Sequence, residues 1–171
     1  EGEVFQLAPG ARLLYPPRRD RVDILLGTWG PRGLALAGEC ADEVKLGGCA
    51  NPDMVARVRR QLDAACAAAG RDPSAVGIVA GAVTVVDEDR DSARERARAE
   101  VAMYLDVVAG LDTTVAVPDD VLVPLRNALA RGDAAGAGRL VPDELLDRFA
   151  FAGDPDEVAE HAARLVAAGA S

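Results

Sequence analysis

The residues of this chain best suited to meet a ligand stand where apolar runs end. Gly27-Thr28-Trp29-Gly30 closes the run Asp23–Thr28, and Lys45-Leu46-Gly47-Gly48 closes the run Glu43–Leu46. A glycine lets another molecule come close to the backbone because no Cβ stands in the way. Pro31 follows Gly30 directly and suits the first position of a helix, whose leading N–H groups attract a phosphate or the polar edge of a ring. The competing explanation of this loop is a tight strand-to-helix turn that needs glycine for its own packing. Lys45 interrupts a strand that otherwise reads as buried, so its charge needs an acid partner or a route to the mouth of the fold. A salt bridge and a ligand contact both meet that need. Trp29, the one tryptophan, lies on the same loop, where it either stacks on a ring system or packs.

Other chemistry is thinly represented. The three cysteines, Cys40, Cys49 and Cys66, have no CxxC spacing, and the single histidine cannot complete a Cys/His zinc site. That histidine, His161 in AEHAARL, reads as an outward helical position facing solvent. Asp87-Glu88-Asp89-Arg90-Asp91 reads as the acidic start of a helix rather than a calcium loop. No phosphate-binding GxxxxGK[ST] loop, GxSxG elbow or zinc helix is present. The net charge of −9 argues against nucleic acid as a partner. No apolar run approaches the roughly 18 residues that cross a membrane, and the chain does not open on a signal peptide. Unpaired cysteines fit a reducing compartment. These properties predict a soluble, cytoplasmic protein.

The elements that would position the glycine loops follow from periodicity. Residues 1–20 show no helical period; Glu3–Leu7 alternates like an edge strand or extended arm, and Pro16-Pro17 ends it. Asp23–Thr28 and Val76–Val86 are apolar on both faces, as strands of a covered parallel sheet are. Between them the pattern predicts a helix over Arg32–Cys40, a strand over Glu43–Leu46 and a helix from Pro52 to about Ala69. Leu34, Ala35, Ala37 and Gly38 form the packing face of the first helix. Asn51 caps the second, and Gly70 ends it. Asp91 is expected to cap a helix over Ser92–Ala109. Its inner side holds Ala97, Val101, Met103/Tyr104 and Val108. Further helices are expected over Pro118–Arg131 and Pro142–Phe149, with a small-residue hinge at Asp133–Gly138. Asp154, Pro155 and Glu157 then start the last helix in the manner of a capping box, and Ala168-Gly169 ends it. That tally is three strands with their helices, and a fourth strand is expected beyond the last helix. Right-handed βα steps of this kind suit an open sheet or a (β/α)8 barrel.

Taken in order, Ile24–Pro31, Leu36–Lys45, Gly47-Gly48 with Asn51-Pro52, Ala68 with Gly70–Pro73, Val83–Asp89 and Phe151–Val158 resemble the luciferase-like monooxygenase superfamily. The likeness is to its F420-dependent, methylenetetrahydromethanopterin reductase-like branch. Each motif by itself is mostly strand and cap grammar; their order and spacing carry the resemblance. Asp23 departs from the proline usual there, and Cys49 from a common serine. The resemblance implies an α/β fold, a partial (β/α)8 TIM barrel. Residues 1–171 would be one C-terminal half-barrel domain holding strands five to seven, with strand eight and the residues facing the reacting ring outside the chain. It further implies that Gly27, Thr28, Trp29, Gly30, Lys45, Leu46, Gly47 and Gly48 line a coenzyme F420 site. Arg148, ahead of Phe149-Ala150-Phe151, would contact an anionic substrate or cofactor tail, unless it is an ordinary surface arginine.

Two classes of function follow. One is hydride transfer between F420 and a small organic substrate, with a flavin mononucleotide (FMN)-dependent monooxygenase as its close variant. The other is a non-catalytic half-barrel that serves as a binding or interaction module, favoured by the lack of a general base, nucleophile or metal cluster. On either reading a half-barrel alone is expected to be inactive and to dimerise or aggregate, because it exposes surfaces that the other half covers.

Overall fold

Apolar runs closed by glycine do form the strands, but they are shorter and less covered than their sequence suggests. The computed structural model describes residues 4, 6–12 and 14–171. Of the arm expected over Glu3–Leu7, Glu3 and Phe5 lie outside the described residues, and Val4, Gln6 and Leu7 are exposed and belong to no strand. Strands β1 (Leu25–Gly27), β2 (Glu43–Gly47) and β3 (Gly77–Gly81) form a parallel sheet in that order. The entry to β1 is pinned by Asp42, which pairs with Arg21 and accepts from the Ile24 N–H at 2.9 Å. These two contacts, the backbone bond first, hold its carboxyl below the usual range.

The run Val76–Val86 is two strands rather than the expected one. After β3, a single residue, Ala82, precedes β4 (Val83–Val86). β3 bonds to β2, whereas β4 bonds in parallel to β5 (Ala150–Gly153). The change of partner has a local cause. The Gly81 carbonyl receives the N–H groups of both Gly48 and Cys49, so the turn leaving β2 occupies the backbone where the ladder would continue. β5 was not among the three expected strands. Its four residues, Ala-Phe-Ala-Gly, carry too little apolar pattern to stand out from a loop. The described residues therefore hold four strand positions, counting β3 and β4 as one interrupted strand.

Register divides the first sheet into two faces. Leu26, Val44, Leu46, Ile78 and Ala80 share one face and join the core under α1 (Pro31–Cys40), α2 (Pro52–Ala68) and α7 (Pro155–Ala167). Leu25, Gly27, Lys45, Gly47, Val79 and Gly81 share the other. That face is not buried among the described residues, and Leu25 remains 46% exposed. Burial on both faces was expected for Asp23–Thr28 and Val76–Val86. Among the described residues one helix layer lies against the first sheet, so one of its faces is covered.

A second core surrounds β4 and β5. It is built by α3 (Arg90–Val108), α4 (Asp119–Ala130), α5 (Ala134–Arg139) and α6 (Asp143–Phe149). Asp89, not Asp91, caps α3, accepting from Asp91 N and Ser92 N. Met103 is exposed, and Tyr104 is the member of that pair which packs inward. In α1, Ala35 lies on the exposed side, while Leu34, Ala37 and Gly38 are buried. The stretch Asp133–Gly138 is no hinge. Asp133 caps α5 through Gly136 N at 2.7 Å, and Gly138 sits so close to α3 that a Cβ would lie 2.8 Å from Ala99 N. The capping box at α7 has both of its reciprocal bonds.

Candidate functional site

Three strand exits meet on the uncovered face. Gly27 stands beside Lys45 in the β1–β2 register, and Gly47 stands beside Gly81 in the β2–β3 register. The Lys45 side chain runs across Gly81; a Cβ built there would lie 3.3 Å from Lys45 Cε. Among the described residues Lys45 makes no ion pair. A Cβ at Gly27, Gly30 or Gly47 would meet nothing within 4 Å, so protein packing does not explain these three glycines.

Beside this row lies a cleft of about 510 Å³, walled by Lys45, Gly47 and Gly48 on one side and by Gly81, Ala82, Val83, Tyr104 and Val108 on the other. Gly48 is fixed by two constraints. Its φ is +82°, and a Cβ would stand 2.8 Å from Val108 Cγ1 and 3.2 Å from Tyr104 Cε2. Tyr104 is held by its hydroxyl, which donates to the Phe149 carbonyl at 2.8 Å. Burial pushes its phenol up to about 12, so the ring is a neutral wall at ordinary pH. Burial likewise pushes the neighbouring Cys49 thiol up to about 11, which removes it as a thiolate nucleophile. The N–H groups of Gly48 and Cys49 are already spent on Gly81 O. Gly30 offers no side-chain cap to α1, so open backbone donors lie at the start of that helix.

The residues singled out from sequence divide three ways. Gly27, Lys45 and Gly47 share the open face, Lys45 and Gly47 line its cleft together with Gly48, and Gly30 stands at the start of α1, outside that lining. Thr28 folds over Gly33, and Trp29 packs in part against the helix-side core. Leu46 is fully buried in that core, so only its backbone can face a ligand. Arg148 is elsewhere. From the last turn of α6 it donates to Asn51 Oδ1 and Asp53 Oδ2, both at 2.6 Å.

His161 overturns the expectation of a solvent-facing side chain. It is 7% exposed, its Nε2 bonds to the Ala50 carbonyl at 2.7 Å, and its ring lies 4.9 Å from that of Phe151. Burial lowers its pKa, which favours the neutral ring with Nε2 as the donor. Sequence reasoning also passed over Gly81, Ala82, Val83, Tyr104 and Val108 as site residues. Two signals for them were present: a glycine inside VGIVAGAVTVV, and the i,i+4 pair Tyr104/Val108 on the inner side of a helix.

Parallel strands that alternate with helices on one side and end in loops around an open face define a fragment of a (β/α)8 barrel. The chain belongs to the luciferase-like monooxygenase family, whose model matches residues 1–171. It is 36% identical over 177 aligned positions to a 5,10-methylenetetrahydromethanopterin reductase of Archaeoglobus fulgidus, covering 99% of this chain and 51% of the relative. A protein of the same name from Methanolobus tindarius is 31% identical, with 92% and 48% covered. The structure of the coenzyme F420-dependent tetrahydromethanopterin reductase from Methanopyrus kandleri superposes with a TM-score of 0.73 at 28% identity, covering 87% of this chain and 43% of that one. The chain thus spans about half the length of the curated relatives it matches. No described helix is long and apolar enough to cross a membrane.

Proposed function

We propose that the protein carrying this chain is an F420-dependent oxidoreductase that transfers hydride between coenzyme F420 and a small organic substrate. The observation that carries the reading is the row Gly27, Lys45, Gly47 and Gly81 on one open face, where Gly27 and Gly47 have no packing role among the described residues. The names of the relatives support it: two are methylenetetrahydromethanopterin reductases, and the superposed structure is of a coenzyme F420-dependent enzyme.

The residues present fit such a group. Val83, Val108 and the Tyr104 ring offer an apolar wall for a planar ring system, and Lys45 offers one cation for an anionic tail. The bare glycines let the backbone approach closely, and the first turn of α1 offers N–H donors. Bound there, a deazaflavin supplies hydride donor and acceptor chemistry. This chain's own part is to bind, orient and shield one flank; no general base or nucleophile lines the cleft. We therefore expect the chain by itself to be inactive. Substrate identity and reaction direction lie with residues other than these. An acidic, cytoplasmic protein that assembles with copies of itself and not with nucleic acid completes the proposal.

Titration with F420 and separately with FMN, followed by absorbance and by Trp29 fluorescence, tests it. Saturable F420 binding, weakened roughly tenfold by Lys45→Ala through loss of a charge-assisted contact, is the expected result. Binding of FMN with none of F420 overturns the cofactor and favours the monooxygenase variant. Binding of neither overturns the redox reading and leaves the interaction module.

A further inference from the structure

The segment leaving β2 is held from several sides, and the residue at its centre is Asn51. Both Asn51 and Asp112 are almost wholly removed from solvent, at 0% and 2% exposure. The Asn51 amide is engaged at both ends. Its Nδ2 donates to Asp112 Oδ2 at 2.7 Å and to Thr114 Oγ1 at 2.8 Å. Its Oδ1 accepts from Arg148 at 2.6 Å and from the Asp53 N–H at 3.1 Å. The second carboxylate oxygen of Asp112 accepts from Thr114 N at 2.8 Å and Thr114 Oγ1 at 2.6 Å. Asp112 touches no cation among the described residues. Arg148 is linked to it through the Asn51 amide.

An N-cap alone needs one acceptor for one N–H. Here the same side chain also bridges a guanidinium to a buried carboxylate, an arrangement in which each bond polarises the next. The bridge ties together α2, the loop after α3 and the end of α6. The residues just before it are Gly47, Gly48 and Cys49, and the Gly48 and Cys49 N–H groups close onto Gly81 O. Ala50 is fastened on both sides, its N–H to Arg148 O at 2.9 Å and its carbonyl to His161.

We propose that Asn51 is a positioning residue for the β2 exit: by bridging Arg148 to Asp112 it holds the Gly47–Gly48 turn in the shape that meets the cofactor. This rests on the reading of that turn as the cofactor's flank. Serine at this position keeps an N-cap acceptor but cannot span to Asp112, so it separates capping from bridging. Aspartate sets a second carboxylate against Asp112, and one of the two must carry a proton for the contact to survive. The charged or titratable groups around that pair are Arg148 from α6, Asp53 from α2 and Cys49 from the turn itself, with His161 of α7 one residue away on the Ala50 carbonyl.

The experiment is amide hydrogen exchange at Gly48 and Cys49 in wild type, Asn51→Ser and Asn51→Asp. It is corrected for intrinsic rates and run between about pH 5 and 8, the range into which a shared-proton carboxyl pair is raised. Amides within α2 serve as the control for global stability. A loss of protection of roughly tenfold in Asn51→Ser, confined to the turn, supports the proposal. So does protection in Asn51→Asp that falls as pH rises from neutral upward, where the wild type shows no such fall; below about pH 6.5 both share the loss that His161 brings to its Ala50 contact. Wild-type protection in Asn51→Ser, or an Asn51→Asp profile with no such fall, overturns it. F420 titration of the same variants adds the functional arm, with binding weakened in parallel. If wild type binds neither F420 nor FMN, the proposed function fails, while the exchange result still decides whether Asn51 holds the turn.

Discussion

At position 48 an alanine would have to adopt a φ of +82° and place its methyl 2.8 Å from a valine carbon. The left-handed conformation alone costs a residue with a Cβ roughly 1–2 kcal/mol, and the contact with Val108 adds to it. Gly48→Ala should therefore lower unfolding free energy by about 2 kcal/mol, read from denaturant midpoints at unchanged m-value. Gly47→Ala, next to it and open on its Cβ side, should leave stability nearly untouched while weakening cofactor binding. His161 makes a pH prediction. Its pKa is lowered by burial from 6.5, so the unfolded chain takes up a proton before the folded chain does. The stability it contributes is complete above about pH 6.5, and declines as pH falls from there through the folded pKa. Urea midpoints at roughly pH 7.5 and 5.5 should show that decline, and His161→Gln should flatten it. The position of His161 was open to sequence reasoning, because Leu165 lies four residues on and the two share the buried side of α7. Its polarity masked the period.

Among the elements, α3 is the one that locks the second half of the chain. Arg94, 5% exposed, donates to Asp143, to Asp147 at 2.8 Å and to the Ala152 carbonyl at 3.1 Å. Arg98 and Arg90, four residues to either side, reach Asp143 and Glu157. These arginines line a cleft of about 770 Å³, but Arg90, Arg94 and Arg98 are met by acids, so the cleft is a clamp of α3 on α6, β5 and α7. Arg94→Ala would strip a buried carbonyl and two acids of their donor, and should cost about 3 kcal/mol. Asp147→Asn, at a half-exposed acid, should cost under about 1 kcal/mol. Comparing the two thermal midpoints checks the contrast. At this scale most helices were legible, since caps such as Asn51 and Asp154 and the 3.6-residue period are local signals, though α5 behind its Asp133 cap read as a hinge. The break at Ala82 and the strand β5 were not. Both depend on which backbone groups already have partners, and those partners are distant in sequence.

The whole molecule carries one helix layer on its first sheet and an uncovered opposite face. Leu25, Ile24 and Val86 remain 46%, 49% and 47% exposed on or beside the strands, the kind of surface that drives association. The isolated chain should sediment as dimers or larger species whose mass rises with concentration; a dilute, concentration-independent monomer would count against this. What the sequence determined by itself is the local grammar: where most helices start and stop, which runs become strands, and that glycines mark the exits of the first two. Those are short-range matters of sterics and capping, and they were enough to carry the resemblance to a family. The tertiary structure decided which side of each strand is covered, sending Leu46 and Trp29 toward the helices and Lys45 toward the cleft. It also drew Arg148 away from that cleft to Asn51, and turned His161 inward onto Ala50. Strand register and the pairing of buried polar groups set these outcomes, and both are made between residues far apart in the chain.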